Sequence, residues 1–230
     1  NKIDFLLVIH VEMDHSGCLL EIVEAIRPEK IICSKMGHKA LLQHFHQADW
    51  PYHVVSGGEE ISLGKRTLSF LETRMLHWPD SMFTYLKEDQ ILFTSDAFGE
   101  HLATSERFDD EVDQGVLMHE AAKYYANILN LYSPLVKKLL AKVEEMQLPI
   151  RMLAPDHGVV WRSNPARIIE SYGRWCNQQG NGKALVIYDT MWESTRTMAK
   201  AVCEGLHEVG VEYKLIDLQV THRSDAMTDI

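Results

Sequence analysis

The chain has 230 residues, 46% hydrophobic and 24% charged, with a formal net charge of -10 that leaves 12 histidines uncounted. That length and apolar share allow a buried core without disulfide staples. The scattered acidic surplus excludes the basic stripe of a nucleic-acid binder and the polybasic patch of a membrane-surface protein. No apolar run approaches the roughly 20 residues that span a bilayer. The four cysteines, Cys18, Cys33, Cys176 and Cys203, lack CxxC spacing, so no zinc knuckle or thioredoxin motif is available. Their scatter suits reduced thiols and a cytoplasmic location. Asn1 leads directly into an apolar run with no signal peptide, and a start without Met reads as a segment of a longer protein.

In chain order, residues 3–9 form a continuous apolar run of strand length, as expected in a sheet covered on both faces. Residues 16–26 repeat Leu19, Leu20, Val23 and Ile26 at helical spacing, and Pro28 closes that helix. A strand over 30–33 and a helix over 39–45 follow. Short strands are expected at 52–55, 60–63 and 68–72, with turns at Gly57-Gly58 and Gly64-Lys65. Residues 82–86 and 90–94 read as a hairpin. The stretch 113–147 reads as mainly helical, broken at Pro134. A strand at 151–154 and a helix at 164–178 complete a first domain over 1–178. The polar, glycine-containing segment 178–183 reads as a linker. After it, a strand at 184–188, a helix at 195–209 and a strand at 211–218 make one βαβ unit. A single such unit cannot bury a core, so 183–230 reads as the start of an incomplete second domain.

The chemistry gathers at strand ends. His10, Glu12, Asp14 and His15 follow the first strand, and residues at i, i+2 and i+4 of an extended backbone project to one side. Alone, such a cluster is as often a polar surface turn as a metal site. Three further segments shift the balance: His77 in Leu-His-Trp-Pro-Asp, Asp96 after the strand at 91–93, and His157 after Met152-Leu153. Each follows a strand and precedes Gly or Pro, which puts all of them on one rim of an α/β fold, where such folds place chemistry. Asp80 reads either as a group orienting a ligand histidine or as a turn cap. Trp78 reads as a shield for the site or as core. His38, His44, His46 and His53 read as a solvated helix and loop face, and His101, His119, His207 and His222 receive the same reading.

In order along the chain, His-x-Glu-x-Asp-His-x-Gly, His-Trp-Pro-Asp-Ser-Met, Ser-Asp-Ala-Phe-Gly and His-Gly-Val-Val-Trp resemble the motifs of the flavodiiron proteins. These A-type flavoproteins reduce dioxygen or nitric oxide. The resemblance spans nearly the whole chain. It implies an α/β metallo-β-lactamase-like αββα sandwich whose N-terminal strands are missing here, followed by the first βαβ of a flavodoxin-like FMN domain. It implies two irons: His10, Glu12 and His77 on one, Asp14 and His157 on the other, Asp96 bridging. His15 matches a family position that is not always a ligand. Related binuclear zinc hydrolases carry a histidine where Glu12 stands. The added hard, negative donor suits iron cycling between ferrous and ferric states, whereas zinc has no redox chemistry.

Tyr188-Asp189-Thr190-Met191-Trp192-Glu193-Ser194-Thr195 joins a strand to a helix. Its hydroxyls and helix N-terminus form an anion site, although Ser and Thr also serve there as ordinary caps. It resembles the flavodoxin phosphate loop, which implies FMN contacts at Thr190, Met191, Trp192, Glu193, Ser194 and Thr195. Glu193 departs from the small or neutral residue expected beside a phosphate. The implied function is an oxidoreductase passing electrons from FMN to a di-iron site that reduces dioxygen to water or nitric oxide to nitrous oxide. Rubredoxin or another reductant is the implied donor, and a head-to-tail homodimer the implied assembly. The alternative is a binuclear zinc hydrolase on the same fold.

Overall fold

Phe5–Val8 forms β1, and its continuous apolar pattern suits a strand with cover on both faces. A computed structural model describes residues 2–180 and 182–230; Asn1, and Asn181 of the expected linker, lie outside the described residues. The helix expected at 16–26 is divided into α1 (Met13–Ser16) and α2 (Leu19–Ile26). The Glu12 carbonyl accepts from both His15 N and Ser16 N and so closes α1 as a single turn. Gly17 follows, where a Cβ would lie 2.7 Å from the Met13 carbonyl oxygen. β2 (Lys30–Ser34) leads into α3 (Lys35–Phe45). This helix starts four residues earlier than its apolar periodicity suggests, because the Ser34 hydroxyl caps it by accepting from Gly37 N at 2.9 Å. β3 (Tyr52–Val55) completes a parallel sheet in the order β1-β2-β3.

The second sheet has the order β4-β5-β6-β7-β8, from Glu60–Ser62, Thr67–Glu72, Met82–Leu86, Ile91–Phe93 and Met152–Ala154. Its pairs are antiparallel except β7 with β8. Between β7 and β8 run α4 (Gln114–Tyr124), a π turn (Tyr125–Leu129), a 3-10 turn (Asn130–Tyr132) and α5 (Ser133–Glu145). The helical break therefore spans 125–132 rather than Pro134, which sits in the first turn of α5 where its missing N–H is no loss. α6 (Pro165–Cys176) follows β8.

Three apolar clusters define four layers. Val8, Leu19, Val23, Ile31, Leu41 and Phe45 join the first sheet to α2 and α3. Ile32, Val55, Leu68, Phe70 and Met82 fill the space between the sheets. Phe83, Leu92, Leu117, Leu139, Ile168 and Tyr172 join the second sheet to α4, α5 and α6. This is an αββα sandwich, as the motifs implied. The Met82 N–H donates to the Ile9 carbonyl at 3.1 Å and ties the two sheets together beside the ends of β1 and β7.

The remaining chain forms β9 (Ala184–Tyr188), α7 (Ser194–Glu208) and β10 (Tyr213–Asp217), with β9 and β10 parallel. A further helix, α8 (Arg223–Asp229), was not expected from the sequence; its His222 caps it by accepting from Ser224 N. α8 lies against α4 and the π turn, where the Asn127 side-chain amide donates to the Ser224 carbonyl at 3.1 Å and Lys123 pairs with Asp225 at 2.5 Å. Among the described residues no helix is long and apolar enough to cross a membrane.

Candidate metal centre

The rim where β1, β7 and β8 end collects the donor residues. Past β1 the backbone is held by Asp80, a 2%-exposed carboxylate whose Oδ2 accepts from Val11 N at 2.7 Å and pairs with His10 Nδ1 at 3.1 Å. The Ser34 hydroxyl donates to the Asp80 carbonyl and fixes that loop in turn. With Nδ1 engaged, His10 presents Nε2 inward, 3.2 Å from Glu12 Oε2 and 3.4 Å from Asp96 Oδ2. His77 Nε2, from the loop between β5 and β6, lies 2.7 Å from Asp96 Oδ2 and 3.4 Å from Glu12 Oε2.

Asp96 is at the centre and 1% exposed. Its other oxygen, Oδ1, faces His15 Nε2 at 3.0 Å and His157 Nε2 at 3.5 Å, while His157 Nε2 is also 3.3 Å from Asp14 Oδ2. One carboxylate thus turns each oxygen toward a separate donor set. His10, Glu12, His77 and Asp96 form one metal-sized group; Asp14, His15 and His157 form a second, and His15, Asp96 and Asp156 a third that overlaps both. All seven metal-ligating residues read from the sequence are brought together here.

The loop after β7 bends sharply enough to place Ser95 and Phe98 at positive φ. Two core side chains brace it: the Tyr172 hydroxyl accepts from Phe98 N at 2.7 Å, and the Trp161 indole donates to the Phe98 carbonyl at 2.8 Å. His157 is followed by Gly158 at φ +80°, where a Cβ would lie 2.3 Å from Glu100 Oε1. That same oxygen accepts from Val159 N at 2.6 Å. Burial pushes the Glu100 carboxyl up to about 8, against the lowering effect of the Val159 hydrogen bond, so it stands neutral at pH 7 behind the histidine.

The donor chemistry fits metal cations. His15 Nε2 and Asp96 Oδ1 are buried and 3.0 Å apart, yet neither has a hydrogen-bond partner, because their alignment is wrong for one. Among the described residues, the basic groups facing these carboxylates are all histidines. Burial disfavours ionised Asp96, but the close approach of His10, His15 and His77 outweighs it and holds the carboxyl far below the usual range. Burial likewise disfavours charged His10, yet Asp80 and Asp96 raise it to about 10. The cluster thus attracts positive charge strongly, and a metal ion entering it displaces protons.

Two contributors gave no signal in the sequence. Tyr124, the last residue of α4 and 3% exposed, lies with its ring centroid 5.9 Å from that of His157. Burial first, then the charges of Asp96, Glu12 and Asp14, push its phenol far above the ordinary tyrosine value, so it keeps its proton. His101, read as a solvated side chain, is exposed, but its ring packs edge-on against Tyr124 at 4.8 Å and His157 at 5.3 Å. Trp78 is half-buried, 5.8 Å from His10 between ring centroids, and serves as a wall of the site.

At the second motif, residues 189–193 form the loop between β9 and α7. Thr190 is 5% exposed and its buried hydroxyl oxygen has no partner among the described residues. The first N–H groups of α7 have no carbonyl partners by helix geometry. Glu193 turns outward and pairs with Arg196 at 2.6 Å, which takes its charge away from the cradle. Met191 and Trp192 are 83% and 84% exposed. The buried hydroxyl and free helix N-terminus fit a phosphate group.

A family profile described as "ODP family beta lactamase" matches residues 1–158. The nitric oxide reductase of Moorella thermoacetica is 48% identical over 229 residues, covering 100% of this chain and 57% of that protein. Among solved structures, the rubredoxin oxygen:oxidoreductase of Desulfovibrio gigas superposes with a TM-score of 0.95 at 40% identity, covering 99% of this chain and 57% of that one. The flavodiiron protein of Giardia intestinalis gives 0.91 at 33% identity, with 99% and 56% covered. The chain therefore spans a little over half the length of the relatives it matches. Motifs, layered fold and comparisons agree that this chain belongs to the ODP beta lactamase family and is a flavodiiron-type member of it.

Proposed function

We propose that the protein containing this chain is an oxidoreductase that reduces dioxygen to water, nitric oxide to nitrous oxide and water, or both, at a non-haem di-iron centre. The observation that carries the proposal is Asp96, which turns one oxygen to His10 and His77 and the other to His15 and His157. In this reading His10, Glu12 and His77 would hold one iron, Asp14 and His157 the other, with Asp96 offering an oxygen to each and His15 a nitrogen beside the second. When bound, the irons supply reversible one-electron chemistry and polarise the substrate. Asp80 fixes the ring orientation of His10. Glu12 adds negative charge that favours the oxidised metal. Tyr124 keeps its proton beside His157, and Trp78 walls the His10 side of the site.

The residues of 183–230 are read as the opening of a flavodoxin-like domain, separate from the metal domain of 1–178. Thr190, Ser194, Thr195 and the α7 N-terminus would take the FMN phosphate, and Met191 and Trp192 the adjoining apolar surface. The relative from Desulfovibrio gigas carries rubredoxin in its name, which supports rubredoxin or a similar small protein as electron donor. A cytoplasmic head-to-tail homodimer would bring the flavin of one subunit to the metal centre of the other. Glu12 weighs toward iron over the zinc-hydrolase alternative, because a hard anionic donor stabilises a ferric ion, an oxidation change that zinc does not undergo. The test is gas consumption by full-length, metal- and FMN-loaded protein under an electrochemical reductant. Steady uptake of oxygen or nitric oxide is expected; ester or amide hydrolysis without gas uptake would contradict the reading.

A further inference from the structure

A cavity of about 120 Å³ lies between α4, the π turn and α8, lined by His101, Glu120, Lys123, Tyr124, Asn127, Ile128 and Ser224. Five of these residues fall at 120, 123, 124, 127 and 128, the i, i+3, i+4, i+7, i+8 stripe of one helical face. Its back wall is the Tyr124–His101 pair, the same two rings that pack against His157. One layer of side chains therefore separates the cavity from the metal-donor cluster. The outer side is bordered by α8, held by the Asn127–Ser224 hydrogen bond and the Lys123–Asp225 ion pair.

We infer that this cavity holds a small uncharged gas on its way to the metal centre, and that the His101 ring is the gate between them. The inference rests on the gas-reductase reading above. The occupant is uncharged because the lining carries both signs: Glu120 disfavours an anion, and Lys123, paired with Asp225, disfavours a cation. It is small because a cavity of about 120 Å³ has room for only a few molecules of water size. Its exposed lining is mainly carbon. His101 suits a gate because it is exposed and, among the described residues, makes ring contacts but no hydrogen bond. Tyr124, by contrast, is buried at the end of α4 and forms the fixed post. The π turn begins at the next residue, and such turns recur where a helix is adapted to a site.

The experiment uses the full-length, metal-loaded protein. Crystals pressurised with xenon should show a xenon atom against Tyr124 and Ile128, and Ile128→Trp should abolish it. In stopped-flow, Ile128→Trp should slow nitric oxide binding to the reduced centre by about fivefold or more at unchanged metal content and melting temperature, whereas His101→Ala should bind at least as fast as the parent. Xenon found elsewhere in the parent but never in this cavity would overturn the inference without reliance on any variant. So would an Ile128→Trp protein that excludes xenon yet binds nitric oxide at the parental rate. A parent that takes up xenon here but neither binds nor consumes nitric oxide or oxygen would instead overturn the reductase reading beneath it.

Discussion

Asp96 presents its two oxygens to two donor sets from a loop that the core holds in place. The loop is pinned by Tyr172 and Trp161, and Asp80 holds His10 in the matching orientation. A histidine ligand whose far nitrogen is bound to a carboxylate is a stronger and better-aimed donor. Asp80→Asn keeps the size but loses that charge, and metal affinity should fall by about 10–100-fold in chelator competition; unchanged affinity would show that Asp80 only caps its turn. At this scale the sequence was informative for residues whose type and place coincide, a histidine or carboxylate just past an apolar strand and next to Gly or Pro. It was silent on Tyr124 and His101. A tyrosine in a helix reads as core, and only the packing of α4 against the rim brings it to the metal side.

Among elements, strands were the more legible because apolar runs bounded by turns fix them locally: 52–55 and 184–188 match the structure residue for residue. Helix ends depended on contacts the pattern does not contain, such as the Ser34 cap of α3 and the Glu12 carbonyl that closes α1. The π turn at Tyr125–Leu129 leaves no signature in apolar spacing, and Pro134 was the nearest visible breaker. The turn after β8 shows how an element's end sets the site. Gly158 at φ +80° lets the chain pass Glu100 while His157 points inward. Gly158→Ala adds a strained φ and a 2.3 Å clash with the Glu100 carboxyl, and should cost about 2–4 kcal/mol. A thermal melt should show the loss, and metal analysis should show the Asp14–His157 side emptying before the Asp96–His77 side. A parental melting temperature with full metal would mean that the turn relaxes freely.

At the scale of the molecule, the four layers put the ends of β1, β7 and β8 on one rim, and the sheets are joined there by the Met82–Ile9 hydrogen bond. Alternating apolar runs and helical stripes made this architecture legible, because each layer buries one face of its neighbour. The packing of α8 on α4 was not legible, since it depends on a short polar helix whose contacts are an ion pair and an amide. A rim this rich in carboxylates should select redox-active iron. Elemental analysis of anaerobically purified full-length protein, grown with iron and zinc both supplied, tests it most directly. About two irons per chain and little zinc are expected, the donor set being mixed histidine and carboxylate. Two zincs per chain with no iron would contradict it.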